Sequence, residues 1–351
     1  MKVLVTGATS GLGRNAAQWL LEHGHQVHAV GRNEAAGAEL QSLGATFSAM
    51  DLAQAGAEDF AALVEGVDWV WHCAGLSSLW GKWEDFLKVN VVVTQNLAQA
   101  AGRARVQRFV YISTSAVYFD FQNRQDIPES FNATTLVNSY ASSKAKAESE
   151  VVLAQQGFMD TQFVILRPRG IFGPHDRSWL PRVLQQIRKD RGVLKLPRGG
   201  EAFVDLTYVL NVVYAMFLAS TRLGLAPAAV FNVTNQQPAA LSVLLMQLLH
   251  GAMGVDFSIK PVSYQMLNGL AAGKELMSKL TGKEPGLTRY SVGALNFDMT
   301  LSFKKAREEL GYVPLFTQEA AMSQTAAWFR THAMEPGQGE VEQLEFDGQG
   351  K

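Results

Sequence analysis

The sequence predicts a doubly wound α/β fold: a seven-stranded parallel sheet with helices on both faces, plus a smaller C-terminal α/β lobe. Three observations lead there. Short apolar runs rich in β-branched residues alternate with helical patterns through the first half of the chain, and that alternation implies a parallel sheet covered on both faces. The first of these runs leads at once into a glycine-rich turn. The length of 351 residues, with 47% hydrophobic and 18% charged side chains, supports a large core and leaves room for a second lobe.

The strands are expected at 2–6, 26–30, 45–50, 67–73, 108–113 and 161–167, with a seventh at 229–233. Between the first two, residues 14–23 set Ala16, Ala17, Leu20 and Leu21 on one helical stripe, and Gly24 is placed to end that helix. Beyond Pro168 the alternation fades into helices and loops. The expected division is a nucleotide-binding domain over 1–170 with 203–235, a substrate lobe over 171–202 with 236–332, and a disordered tail over 333–351, where apolar periodicity is lost. The segment 265–281 carries Met266, Leu267, Leu270, Leu276, Met277 and Leu280. A membrane-facing or pocket-capping helix would show such a stripe, but it reads as a helix packed on its lobe.

A formal net charge of -1 gives no global field to recruit nucleic acid, so the expected partner is a small molecule. One cysteine, Cys73, allows neither an internal disulfide nor a cysteine-based metal site, and no metal is expected. The N-terminal apolar run is too short for a signal peptide and no run is long enough to span a bilayer. A cytoplasmic setting is expected.

Thr6-Gly7-Ala8-Thr9-Ser10-Gly11-Leu12-Gly13 follows the first strand and opens the first helix. Glycines there permit a tight turn, close approach of backbone to a pyrophosphate and close helix-to-strand packing, while the helix N-terminus stabilises phosphate charge. That context reads as a Rossmann dinucleotide site made by Gly7, Thr9, Ser10, Gly11, Leu12 and Gly13. At the end of the second strand stands Val30-Gly31-Arg32-Asn33, with no carboxylate before Glu34. An acid there would bind a ribose 2′-hydroxyl, whereas an arginine suits a 2′-phosphate. NADP(H) is therefore favoured over NAD(H), with Arg32 on the 2′-phosphate and Ser10 and Arg14 near it. Asp51 and Leu52 would border the adenine, and Ala74 and Gly75 would let backbone approach the cofactor.

Tyr140 and Lys144 lie four residues apart and so share a helix face. Spacing alone is weak evidence; position beyond a strand ending in Ser113-Thr114-Ser115 strengthens it, since ligands bind at the carboxyl edge of such sheets. A lysine ammonium and a positive nicotinamide would lower the phenol's pKa and make Tyr140 a proton shuttle for a ketone or alcohol. Lys144 would also hold the nicotinamide ribose, and Thr114 would orient the reacting oxygen.

These motifs, with Asn90 in a helix, resemble the extended short-chain dehydrogenase/reductase superfamily, NAD-dependent epimerase/dehydratase-like, over residues 1 to about 330. The stretch Arg167-Pro168-Arg169-Gly170-Ile171-Phe172-Gly173-Pro174 resembles the family segment that closes over the nicotinamide, which implies cofactor contacts at Pro168, Gly170 and Ile171. Phe303 to Ala306 and Leu310 to Pro314 resemble its C-terminal signature. Leu287-Thr288-Arg289-Tyr290 followed by that signature looks most like the 3β-hydroxysteroid dehydrogenase and 2-alkyl-3-oxoalkanoate reductase branch. The resemblance implies a catalytic tetrad of Asn90, Thr114, Tyr140 and Lys144, and a helix-mediated homodimer is common in the family. Three departures stand out: Gly11 takes the place of a glycine expected at Ser10, Val204 stands where sugar-nucleotide epimerases carry a diphosphate-binding arginine, and Leu210 replaces an acidic residue.

The expected activity is NADP(H)-dependent interconversion of a ketone and a secondary alcohol on a hydrophobic substrate, steroid-like or 3-oxoacyl-like. Candidate lining residues are Ser115, Trp80, Trp83, Phe119, Phe121 and Trp179. His72 and His175 read as structural, and Cys73 as a small buried hydrophobe. The alternatives are a sugar-nucleotide epimerase or dehydratase with retained NAD, and a non-catalytic NADP-sensing regulator.

Overall fold

The computed structural model describes residues 1–332; the expected tail lies outside them. Strands β1 (Lys2–Thr6), β2 (Gln26–Gly31), β3 (Thr46–Ala49), β4 (Trp69–His72), β5 (Arg108–Ile112), β6 (Gln162–Pro168) and β7 (Ala229–Val233) form one sheet. All its pairings are parallel, in the order β7-β6-β5-β4-β1-β2-β3. The expected strands agree within one or two residues at each end. Their runs read as continuously apolar because both faces are covered. Val3 and Val5 of β1 pack into one core with Ala16, Leu20, Trp71 and Val213, while Leu4 between them packs into the other with Val70, Leu97, Phe109 and Val151. Trp71 is fully buried, and its indole N–H donates to Ser220 Oγ at 2.8 Å, so its one polar group is satisfied.

The strand order turns back between β1 and β4, which opens a crevice at their carboxyl ends. Helix α1 (Gly11–Glu22) rises from one side of it. The helix bearing Tyr140 and Lys144, α2 (Ser139–Gly157), starts at Asn138, whose side chain accepts from Ala141 N at 2.8 Å. That cap fixes where the helix begins, and hence where the tyrosine stands.

A second sheet lies in the lobe, in the order Ala239–Ala240, Phe203–Val204, Met299–Leu301, Arg124–Ile127. Its last strand comes from a segment expected with the nucleotide-binding region. Residues 124–127 carry only one apolar side chain, Ile127, which packs with Val117, Phe119, Met299 and Leu301, so no alternation marked the strand in advance. The lobe core itself gathers Leu180, Leu184, Leu194, Leu244, Leu248, Met322 and Phe329.

One helix of the lobe departs from expectation. Residues Tyr264–Thr281 are helical, but the side facing the lobe carries Ala271, Glu275 and Ser278. Met266, Leu270, Leu276, Met277 and Leu280 of the stripe point away from it, while half-buried Leu267 lies on the inner side. An apolar stripe fixes which residues share a face; it does not say what that face meets. Among the described residues, no helix is long and apolar enough to cross a membrane.

Candidate active site

The glycine loop is shaped by contact. A Cβ on Gly7, at φ +68, would sit 2.8 Å from Ala74 N, and one on Gly13 would sit 2.3 Å from Gly7 O. Gly7 therefore lets β1 and β4 approach, and Gly13 lets α1 press on the loop. Thr9 packs against Gly31, where a Cβ would meet its side chain at 2.5 Å. Ser10, the N-cap of α1, makes no side-chain capping bond. The first-turn amides of Leu12 and Gly13 have no acceptor within the helix, and with the positive end of the helix dipole they suit a diphosphate. The residues present thus fit a dinucleotide.

Two expectations there are corrected. The Gly11 amide donates to His175 O at 3.1 Å, so Gly11 shapes the turn through its φ of +49 and offers no amide to a phosphate. Arg14 is buried; it donates to Ala36 O and, at 2.9 Å, to Glu39, so it stitches α1 to the helix Glu34–Ser42 rather than reaching a ribose phosphate. Arg32 is exposed at the end of β2, and Asn33 beside it caps the next helix through Ala36 N at 3.0 Å. Asp51 is exposed and accepts from Ala53 N at 3.1 Å. Leu52 instead turns into the core.

His72 is a strut. Its Nδ1 lies 2.7 Å from Thr6 Oγ1 and its Nε2 2.9 Å from Thr94 Oγ1. Burial pushes it down to about 3, helped by Lys144, so the ring is neutral. Cys73 is pushed up to about 12 by burial and is no nucleophile at neutral pH. His175 sits in a loop docked on α1, where Asn15 Nδ2 donates to Pro174 O at 2.9 Å, and burial holds it near 3.

Thr114, Tyr140 and Lys144 converge at the carboxyl end of β5. The Thr114 hydroxyl accepts from Ala116 N at 3.1 Å, which fixes its rotamer, and it faces the Tyr140 phenol, where it acts to lower the phenol's pKa. Burial raises the phenol to about 12; Thr114 works against this and Tyr290 adds to it. Lys144 is drawn down to about 8 by burial, opposed by Glu148. Its Nζ donates to Ile112 O at 2.6 Å and lies 4.5 Å from the centre of the Tyr111 ring. The expected depression of the tyrosine by the lysine is outweighed among the protein groups, where burial is the largest influence on the phenol. They favour the protonated phenol, the form that gives a proton to a ketone.

Asn90 lies in a π-helical turn, Leu87–Val92. Its Oδ1 accepts from Leu76 N at 2.6 Å, and its Nδ2 donates to Leu76 O at 3.1 Å and Ser143 Oγ at 2.9 Å. It ties the loop after β4 to the catalytic helix. Gly75 lies beside it, where a Cβ would be 3.2 Å from Asn90 Oδ1 and 3.6 Å from Lys144 Nζ. Ala74 N donates to Thr6 Oγ1 at 3.2 Å. On the other side Gly170, at φ +57, lets its loop pass Asp205 O, which a Cβ would approach to 2.9 Å. Ile171–Phe172 pairs with Thr207–Tyr208 just beyond Pro168.

The substrate candidates divide. Trp80 is half-buried in the loop after β4, and its carbonyl accepts from Ser78 Oγ at 2.6 Å. Ser115 is buried at the start of a 3-10 turn. Phe119 is packed in an aromatic cluster with Phe121, Tyr290 and Phe297, and so builds a wall rather than offering a free ring. Trp179 packs on the lobe core and donates its indole N–H to Ile171 O at 2.8 Å, an anchor for the loop.

Sequence reasoning passed over the groups behind the lysine. Glu148, one turn along α2, accepts from Ser113 Oγ and from Arg167 Nε at 2.8 Å, with a second Arg167 bond at 2.5 Å. Arg167 also donates to Tyr118 OH at 2.6 Å, which donates to Asn232 Oδ1 at 2.9 Å. The Lys144-to-Glu148 spacing was the available signal. Arg169, in the segment after β6, donates through Nε to Met299 O at 2.8 Å. Burial lowers its pKa, while Asp205 and Tyr290 beside it pull upward.

The NAD dependent epimerase/dehydratase family model matches residues 3–234. The chain belongs to that family. It is 41% identical to the Escherichia coli protein named "Uncharacterized protein YbjS", covering 96% of this chain and all of that one. It is 34% identical to a 2-alkyl-3-oxoalkanoate reductase of Stenotrophomonas maltophilia, over 93% of this chain and 99% of the relative. 3 beta-hydroxysteroid dehydrogenases are also among the relatives, so this is an enzyme of the extended short-chain dehydrogenase/reductase superfamily. The UDP-glucuronic acid 4-epimerase of Bacillus cereus, solved with NAD, superposes with a TM-score of 0.74 at 20% identity, over 94% of this chain and 97% of that one. That likeness is one of fold.

Proposed function

We propose that this family member is an NADP(H)-dependent ketoreductase or secondary-alcohol dehydrogenase acting on a hydrophobic 3-oxoacyl-like or steroid-like substrate. The observation that supports it most is the convergence of the Thr114 hydroxyl and the Tyr140 phenol at the end of β5, one helical turn from a buried Lys144 whose Nζ donates to Ile112 O at 2.6 Å. A bound NADP(H) would supply or accept the hydride. Thr114 holds the substrate oxygen, and Tyr140 gives it a proton or, in reverse, takes one. Lys144, seated on β5, holds the ribose side, and Asn90 keeps the loop after β4 in register with α2. Gly7, Thr9, Ser10, Leu12 and Gly13 would hold the diphosphate, Arg32 the 2′-phosphate, and Ala74, Gly75, Pro168, Gly170 and Ile171 would border the nicotinamide. Against a sugar nucleotide, Val204 is buried between Ala239 and Met299 in the lobe sheet and offers a diphosphate no charge.

NADPH should bind more tightly than NADH. Arg32→Glu should weaken NADPH by about ten- to a hundredfold, the worth of a charge-assisted hydrogen bond, and leave NADH little changed. A fluorescence titration of both cofactors on both proteins checks this; equal NADPH affinity in the variant would remove Arg32 from the site. A panel of ketones graded by chain length and ring count then tests the substrate class.

Arg169 favours the acyl member of that class. A half-buried guanidinium beside Tyr290 suits a carboxylate one carbon from the reacting ketone. Arg169→Met should raise KM for a free 3-oxo acid by about tenfold or more while leaving its methyl ester unaffected. Equal effects on acid and ester would favour an uncharged, steroid-like substrate.

A further inference from the structure

The helix Tyr264–Thr281 is apolar on the side away from the protein. Met266, Leu270, Leu276, Met277 and Leu280 are 51%, 54%, 62%, 60% and 77% exposed. At 3.6 residues per turn they fall within roughly a third of the helix circumference, centred opposite the inward-facing Ala271, Glu275 and Ser278. Gly269 and Gly273 complete that arc, and a Cβ on either would meet nothing within 4 Å. Scattered exposed leucines need no explanation, but a contiguous band does.

The charges around the band indicate what covers it. Exposed Lys274 flanks one edge and exposed Lys279 the other. The helix's single carboxylate, Glu275, is turned inward, where it accepts from Arg289 N at 2.7 Å and Arg289 Nε at 2.8 Å. Lys283 follows the C-cap at Gly282, and the next acid, Glu284, has Arg182 at 3.7 Å. An apolar band edged by cations with its acid hidden is complementary to an interface that is apolar within and anionic at its surface. Two copies of this face would instead set lysines against lysines.

We infer that this helix docks the protein peripherally on an anionic lipid surface. The adjacent helix, Arg289–Ala294, carries Tyr290, which lies near enough to Tyr140 to influence its phenol, so the docked helix neighbours one that borders the site. Uptake of an apolar substrate from the same lipid rests on the ketoreductase reading; the docking does not.

Flotation of the full chain with vesicles tests it independently of activity. The protein should float with vesicles of equal parts phosphatidylcholine and phosphatidylglycerol, and far less with phosphatidylcholine alone. Leu270→Ser with Met277→Ser should abolish flotation. Lys274→Gln with Lys279→Gln should weaken it by about thirtyfold, given the roughly fivefold that anionic lipid contributes per surface lysine. Leu223→Ser, at a residue 81% exposed elsewhere, should float as the native chain does. Circular dichroism melting verifies that each variant is folded. A native chain that stays down, or a folded serine double variant that still floats, overturns the inference. So does a dimer in sedimentation that the serine double variant dissociates, which would assign the face to a second copy.

Discussion

Tyr140→Phe should reduce turnover of a ketone by about a hundred- to ten-thousandfold, the usual worth of a positioned general acid, while NADPH affinity stays within about twofold. The asymmetry follows from the site. The phenol faces Thr114, whereas the glycine loop and Arg32 that would seat the cofactor are on other elements. Phenylalanine keeps the ring in place, so a loss of activity cannot be attributed to repacking. Steady-state rates with saturating NADPH, beside a cofactor titration, separate the two effects. A variant that retains full turnover would remove Tyr140 from the chemistry, and with it the ketoreductase reading.

Arg167→Met should cost about 3–5 kcal/mol of folding stability, because it leaves the Glu148 carboxylate buried without its partner. Arg167 and Glu148 side chains are each only 10% exposed, and the guanidinium is held protonated by Glu148 against the pull of burial. The double variant Glu148→Leu with Arg167→Met should recover most of that loss, since two apolar groups replace two charges. Urea unfolding of the single and double variants measures both. The same carboxylate raises Lys144, so the double variant should be stable and yet catalytically impaired. A stable and fully active double variant would show that the pair does nothing for the lysine.

The nucleotide-binding half was legible because its signals are local. Gly13 is required by a contact within the first turn, and the β-branched runs report a sheet buried on both faces. Tyr140 and Lys144 were legible because a helix turns spacing into proximity. The groups behind them were not: Glu148 meets Arg167 across 19 positions and Arg167 reaches Tyr118 across 49, distances over which no periodicity speaks. Gly11 misled for a related reason, since the carbonyl that takes its amide comes from His175, far along the chain. Phe119 and Trp179 were read as pocket lining because aromatic composition cannot distinguish a wall from a surface.

Thr6 is where the crevice gains its stiffness. One hydroxyl accepts the Ala74 amide and meets the His72 imidazole, whose far nitrogen is bonded to Thr94. The end of β1, which carries the phosphate loop, is thereby bolted to the end of β4, which leads into the loop held by Asn90. The two banks of the cleft form one mechanical piece at that point. Neither bank can be displaced there without carrying the other along or breaking the contacts of the Thr6 hydroxyl.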